Sequence, residues 1–136
     1  MKPFLDTNIF IYAQEESARG DRARAIVADG GIVSVQILNE LASVLRRKLK
    51  RSWSEVAAVI DDVRTALDEP LPLTLPLHLS ALEFARDHNV AFYDALILAA
   101  AIEAGCEHSS ARTCSMAGAS AIARSSIRFS ESPPAR

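Results

Sequence analysis

The stretch Pro3-Phe4-Leu5-Asp6-Thr7-Asn8-Ile9-Phe10 constrains this chain more than any other. It reads as a short buried strand that ends on a carboxylate and turns at once into a helix. Phe4 and Leu5 are strand formers without a polar neighbour, as a central parallel strand requires. Asp6 falls at the strand's carboxyl end, and Thr7 is placed to cap the helix that follows. In an open parallel sheet, ligands bind in the crevice beyond the carboxyl ends of the strands. Asp6 is therefore a candidate for chemistry, and equally a plain helix start.

The remaining chain repeats the pattern of an apolar segment followed by a helix. Ile9 to Ala13 gives a short helix and Ser17 to Ala28 a polar one, which Gly30-Gly31 ends. Ile32-Val33-Ser34-Val35 is a second apolar strand. A longer helix from about Gln36 to Lys50 carries the stripe Ile37, Leu41, Val44 and Leu45, with Glu40 at its edge. Ser52 and Glu55 form a capping box for the next helix, which Glu69-Pro70 stops. Leu71 to Leu75 is an edge strand bounded by prolines. A helix from Pro76 to about Asp87 follows, then one from Phe92 to about Ala104 that is apolar on nearly every side and so should be buried. Cys106-Glu107-His108 should begin another strand. Such alternation implies an α/β fold with a parallel sheet covered on both faces.

Composition bounds the function. At 136 residues the length is one domain's worth, and the formal net charge of −2 gives no global pull toward nucleic acid or membrane, so any basic footprint is local. Cys106 and Cys114 make no disulfide framework; with no signal peptide in view, they fit a reducing cytoplasm. The longest apolar run, Ala95 to Ile102, is too short to span a bilayer.

Three carboxylates sit where packing alone does not favour them. Asp6 follows a strand, Glu40 borders a helical stripe and Asp94 opens a buried helix, all at the same end of the expected sheet. Singly, Asp94 reads as a helix cap or dipole partner, and Glu40 as a side chain reaching solvent. Together they repel: at about 5 Å and an effective dielectric of about 20, each pair costs roughly 3 kcal/mol. Such a group takes up protons or holds a hard cation, and all-oxygen ligation points to Mg²⁺ or Mn²⁺ rather than zinc.

Leu5-Asp6-Thr7-Asn8, Gln36-Ile37-Leu38-Asn39-Glu40 and Tyr93-Asp94-Ala95-Leu96-Ile97, in that order and spacing, resemble the three signatures of the PIN-domain ribonucleases, and within them those of the VapC toxins of bacterial toxin–antitoxin pairs. The resemblance implies a three-layer α/β/α domain over residues 1–108, with a central, mostly parallel sheet of four to five strands. It also implies a Mg²⁺-dependent endoribonuclease, with Mn²⁺ as the other candidate ion, acting on RNA. A VapB-like antitoxin and a homodimer are the implied partners. By position Asp6, Glu40 and Asp94 match the family's first three acidic ligands, and Thr7 or Asn8 its supporting polar position. By the same analogy Phe10, Tyr12 and the early helices would form the antitoxin groove.

The chain departs from that pattern after His108. The family's fourth acid should come just after the strand that His108 begins, yet Ser109-Ser110-Ala111-Arg112-Thr113-Cys114 has no carboxylate, the family's closing strand is missing too, and residues 109–136 are rich in Ser, Ala and Arg. With suitable codons, one restored base before Ser109 turns Ser109 to Met116 into Leu-Leu-Ser-Glu-Asp-Met-Gln. The same shift turns Ser125 to Glu131 into Ile-Val-Asn-Pro-Phe-Leu and a stop. A frame slip is one reading of the tail and natural divergence the other. As written, the chain keeps three ligands, so its activity should be weakened; an impaired homologue that only binds an antitoxin is the alternative function. The basic run Arg46-Arg47-Lys48-Leu49-Lys50-Arg51 offers phosphate contacts through Arg46, Arg47 and Lys50, or is a solvated helix end. Trp53 beside it reads as a stacking residue or, more simply, as packing in the core or at an interface. A receiver domain has this size and an acidic pocket, but by resemblance needs a late lysine, and none follows Lys50.

Overall fold

The computed structural model describes residues 2–105. The chain divides into two compact units, Met1–Leu73 and Thr74–Arg136.

In the first unit four helices form: α1 (Thr7–Tyr12), α2 (Ala18–Ala28), α3 (Val35–Arg47) and α4 (Trp53–Ala66). Each begins on a side chain suited to the task. Asp6 accepts from the Thr7 amide, Ser17 from Gly20, Ser34 from Ile37, and Ser52 and Glu55 close the reciprocal capping box expected from their spacing. At α1 the cap is thus Asp6 and not Thr7, which lies inside the first turn.

The central parallel sheet expected from the sequence is not found. Among the described residues no strand forms; there are two isolated parallel bridges, Phe4 with Ile32 and Ser34 with Leu71. The physical reason is length. Each extended segment reaches a helix cap within a few residues, at Asp6, at Ser34 and at Thr74, so no ladder has room to grow. The first bridge rests on Leu5 N–H to Ile32 O and Ile32 N–H to Pro3 O, both 2.8 Å. The second rests on Val35 N–H to Leu71 O and Leu71 N–H to Val33 O, both 2.9 Å. Leu75, expected in a strand, begins a helix. The strand expected at Cys106 to His108 lies outside the described residues, as does the 109–136 tail.

What the bridges start, side-chain burial completes. Ile37, Leu41 and Leu45 place one face of α3 entirely out of solvent, against α1 and α4, with Phe10, Val33, Val56, Val63 and Leu67 around them. Each such aliphatic side chain contributes about 1.5–3 kcal/mol. The helix carrying Asp6 is short and is tied at its far end. Arg24 donates to Ala13 O at 2.7 Å and Glu15 O at 3.0 Å, while Arg19 pairs with Glu15 and lies 4.2 Å over the Tyr12 ring. Gly20 permits this turn to close, because a Cβ there would sit 1.9 Å from Glu15 O.

The second unit contains α5 (Leu75–His88) and α6 (Phe92–Gly105), joined through Asn89 in the left-handed region at φ 51°. Six consecutive residues of α6, Ala95 to Ala100, are buried, as its unbroken apolarity required. Leu77 and Ala81 of α5 are buried with them, and His78 meets the Phe92 ring edge-on at 5.2 Å. No helix among the described residues is long and apolar enough to cross a membrane.

Candidate active site

The first candidate residues come together through one threonine. Thr7 is 5 % exposed and bonds in two directions. Its amide donates to Asp6 Oδ1 at 2.7 Å, and its hydroxyl donates to Glu40 Oε2 at 3.1 Å. A carboxylate at the start of α1 and a carboxylate in the second turn of α3 thereby share a single anchor, although 33 residues separate Thr7 from Glu40 in sequence. Asp6 and Glu40 are both half-buried. Local folding explains the arrangement: the Phe4–Ile32 bridge sets the entries to α1 and α3 side by side, and the caps Asp6 and Ser34 each lie two residues beyond it. Glu40 therefore does not simply reach into solvent. Asn8, half-buried in the first turn of α1, flanks the pair.

Asp94 lies in the second unit, half-buried in the first turn of α6. It is the third residue of that helix and so is placed inside the turn, where the helix dipole favours a negative charge. The side chains on either side of it are Tyr93, 64 % exposed, and Ala95, fully buried, which sets Asp94 at the edge of the apolar surface.

Oxygen donors alone suit a hard cation, and Asp6 with Glu40 meets that chemistry. Among the described residues, however, no group of three or more His, Cys, Asp or Glu side chains is gathered so as to hold a metal ion. What the structure brings together is the Asp6–Thr7–Glu40 link; Asp94 is placed within its own unit.

For other residues, one expectation changes and one is narrowed. Phe10, assigned by analogy to a partner groove, is 2 % exposed and belongs to the core, while Tyr12 is half-buried beneath Arg19. Of the readings open for Trp53, packing in the core is ruled out: it stands 66 % exposed, with the Arg46 guanidinium 4.9 Å from its ring centre. The role of Thr7 as the joint between two carboxylates was only half visible in the sequence, since adjacency to Asp6 was plain and the reach to Glu40 was not.

The sequence profile of the PIN domain matches residues 4–110, a span that contains Asp6, Glu40 and Asp94. No curated protein matches the chain.

Proposed function

Because this chain belongs to the PIN-domain family of metal-dependent nucleases, we propose that it is an endoribonuclease that uses Mg²⁺, or Mn²⁺ in its place, and that it is the toxin of a VapC-like toxin–antitoxin pair. The observation that carries the reading is Thr7 bonded to Glu40 beside Asp6. A threonine that orients two half-buried acids is a device for holding ligands at a fixed separation. Asp6 and Glu40 are the first two ligands in this proposal, and Asp94 is the third. A divalent cation supplies positive charge against a phosphodiester and lowers the pKa of bound water. The protein's part is to hold the carboxylates oriented. Thr7 does this for Glu40 directly, and Asp6 is fixed by its cap to α1.

The toxin reading brings a VapB-like antitoxin and a homodimer as partners, on the strength of the signature resemblance. A second reading has one observation in its favour: Ser109 to Cys114 holds no carboxylate where the family's fourth acid belongs. On that reading the chain is an impaired homologue that binds an antitoxin without cutting RNA. The profile match ends at residue 110, beside the place where a one-base shift restores family-like sequence, which supports the tail's being a misread end.

The test is cleavage of a structured RNA pool by purified chain in Mg²⁺, in Mn²⁺ and in EDTA. Weak cleavage in either metal, absent in EDTA and in Asp94→Asn, is the expected result. No cleavage together with tight capture of the neighbouring gene's product would select the impaired homologue. Cleavage that persists in EDTA would remove the metal-dependent reading altogether.

A further inference from the structure

The densest positive charge in the first unit lies at the opposite end of α3 from the acidic pair. Arg46, Arg47, Lys48 and Lys50 are all exposed where α3 ends and the chain turns into α4. Trp53, the first residue of α4, stands among them at 66 % exposure. What sets this indole apart from other exposed apolar side chains is the cation held against its ring, with further cations beside it.

The geometry is ordered. Arg46 donates to Arg51 O at 2.9 Å, across the turn, and its guanidinium rests 4.9 Å from the Trp53 ring centre. Arg47 is steadied by a 3.0 Å bond to Ser43 Oγ. Ser52 and Glu55 lock the helix start that carries the indole. One side of the ring thus has a fixed cation, and most of the residue's surface remains open. Lys50 is held at φ 55°, a backbone conformation that glycine adopts at far lower cost, so a charged side chain is displayed at the apex of the turn.

We propose that Trp53 with Arg46, Arg47 and Lys50 forms a docking platform for single-stranded RNA, separate in purpose from the acidic pair. A base stacks on the indole, and the flanking phosphates meet the cations. The nature of the ligand rests on the ribonuclease reading above; the place of the platform rests on this surface. Cations flanking an open ring suit a strand of phosphates with unpaired bases; duplex RNA has its bases already stacked, and an acidic protein segment is the rival that the test below separates.

Trp53 is the only tryptophan in the chain, so its fluorescence reports this surface alone. The full chain is titrated in EDTA, which keeps the RNA intact, with twelve-nucleotide oligo-U and oligo-A, and the affinity is measured in parallel from the anisotropy of labelled RNA. The expected result is saturable quenching by both single strands. Trp53→Ala then weakens binding by about 5- to 150-fold, the range for one stacked base, whereas Trp53→Phe retains most of the affinity. Three phosphate contacts give a log–log salt slope of about −2, so affinity falls by about 20-fold between 50 and 200 mM salt. Arg47→Ala and Lys50→Ala each make that slope shallower. Because Trp53 is exposed, its removal leaves the core intact, and an unchanged circular dichroism spectrum verifies this.

Labelled RNA that binds, or is cut in Mg²⁺, while Trp53 fluorescence stays constant overturns the platform and leaves the nuclease reading standing. Equal quenching by polyglutamate or by duplex RNA also overturns it, and polyglutamate would point to an acidic protein partner. Quenching by single strands without cleavage in any metal upholds the platform and removes the nuclease reading.

Discussion

Replacing Thr7 by valine removes one hydroxyl and little else, so it isolates the bond that joins the two units of charge in the candidate site. The bond is 3.1 Å long and its donor is buried, with Thr7 5 % exposed. Hydrogen bonds to charged groups contribute about 1.5–3 kcal/mol. Glu40 is only half-buried and has further interactions, so water and those partners recover part of the loss. A cost of about 1–1.5 kcal/mol follows. With a urea slope of about 1.5 kcal/mol per molar, the unfolding midpoint drops by about 0.7–1 M. The second arm is Glu40→Ala, which strands the Thr7 hydroxyl in the core and so costs more than the bond alone. Adding Thr7→Val to Glu40→Ala should then be neutral or stabilising, because a buried donor without a partner is worse than none. The coupling energy of the four-protein cycle is expected at about 1 kcal/mol. Two single changes that add to within about 0.4 kcal/mol would refute the claim that Thr7 organises Glu40.

Gly20→Ala should destabilise the first unit by about 1–3 kcal/mol, because its new methyl meets the Glu15 carbonyl oxygen; a thermal or urea midpoint equal to that of the parent would contradict the close packing of the α1–α2 turn. Lys50→Gly should do the opposite, relieving a left-handed backbone worth about 1 kcal/mol while weakening RNA binding, a divergence that denaturation and anisotropy can read on one sample. The pH response concerns Glu15 and Asp87, whose carboxyls are held below the ordinary range chiefly by hydrogen bonds from Arg19 and Arg86. A depressed carboxyl stabilises above its unfolded value and loses that effect as the pH falls through the folded one. The melting-temperature gap between parent and Glu15→Gln should therefore shrink in acid and at 1 M salt, and a gap that widens in acid would reverse the sign. Sequencing the gene on both strands tests the tail directly: a chain in the restored frame should bind Mn²⁺ more tightly than this one, since ligand charge sets affinity.

Helix positions were legible because their signals are local. Ser17, Ser52 with Glu55, Gly30 with Gly31, and the spacing of Ile37, Leu41 and Leu45 each fix a boundary or a face within a few residues of chain. The sheet was misread for the complementary reason. Phe4-Leu5 and Ile32-Val33 look like strands by composition, but strand formation depends on how many residues of a distant segment lie alongside, and the caps at Asp6 and Ser34 cut that number to a single bridge each. The end of the Leu71–Leu75 segment was claimed by a helix, because Thr74 with Pro76 is a stronger local signal than the apolar run around it. In the candidate site, the acids were visible as charges in apolar surroundings. The bond from the Thr7 hydroxyl to Glu40 was not, since nothing local in the sequence relates Thr7 to a residue in another helix. For Trp53 the sequence left stacking and packing, in the core or at an interface, open, and its 66 % exposure removes only the core.

The proposal that Asp6, Glu40 and Asp94 serve as metal ligands is tested without reference to activity by Mn²⁺ binding followed by electron paramagnetic resonance. Free Mn²⁺ gives a sharp signal that vanishes on binding, so the affinity is read for the parent chain and for Asp6→Asn, Glu40→Gln and Asp94→Asn, with Asp62→Asn as an exposed control. Binding in the parent is expected to weaken about tenfold or more with each of the three changes and to stay unaltered in the control. An Asp94→Asn chain that binds Mn²⁺ as the parent does, while Asp6→Asn does not, would contradict it.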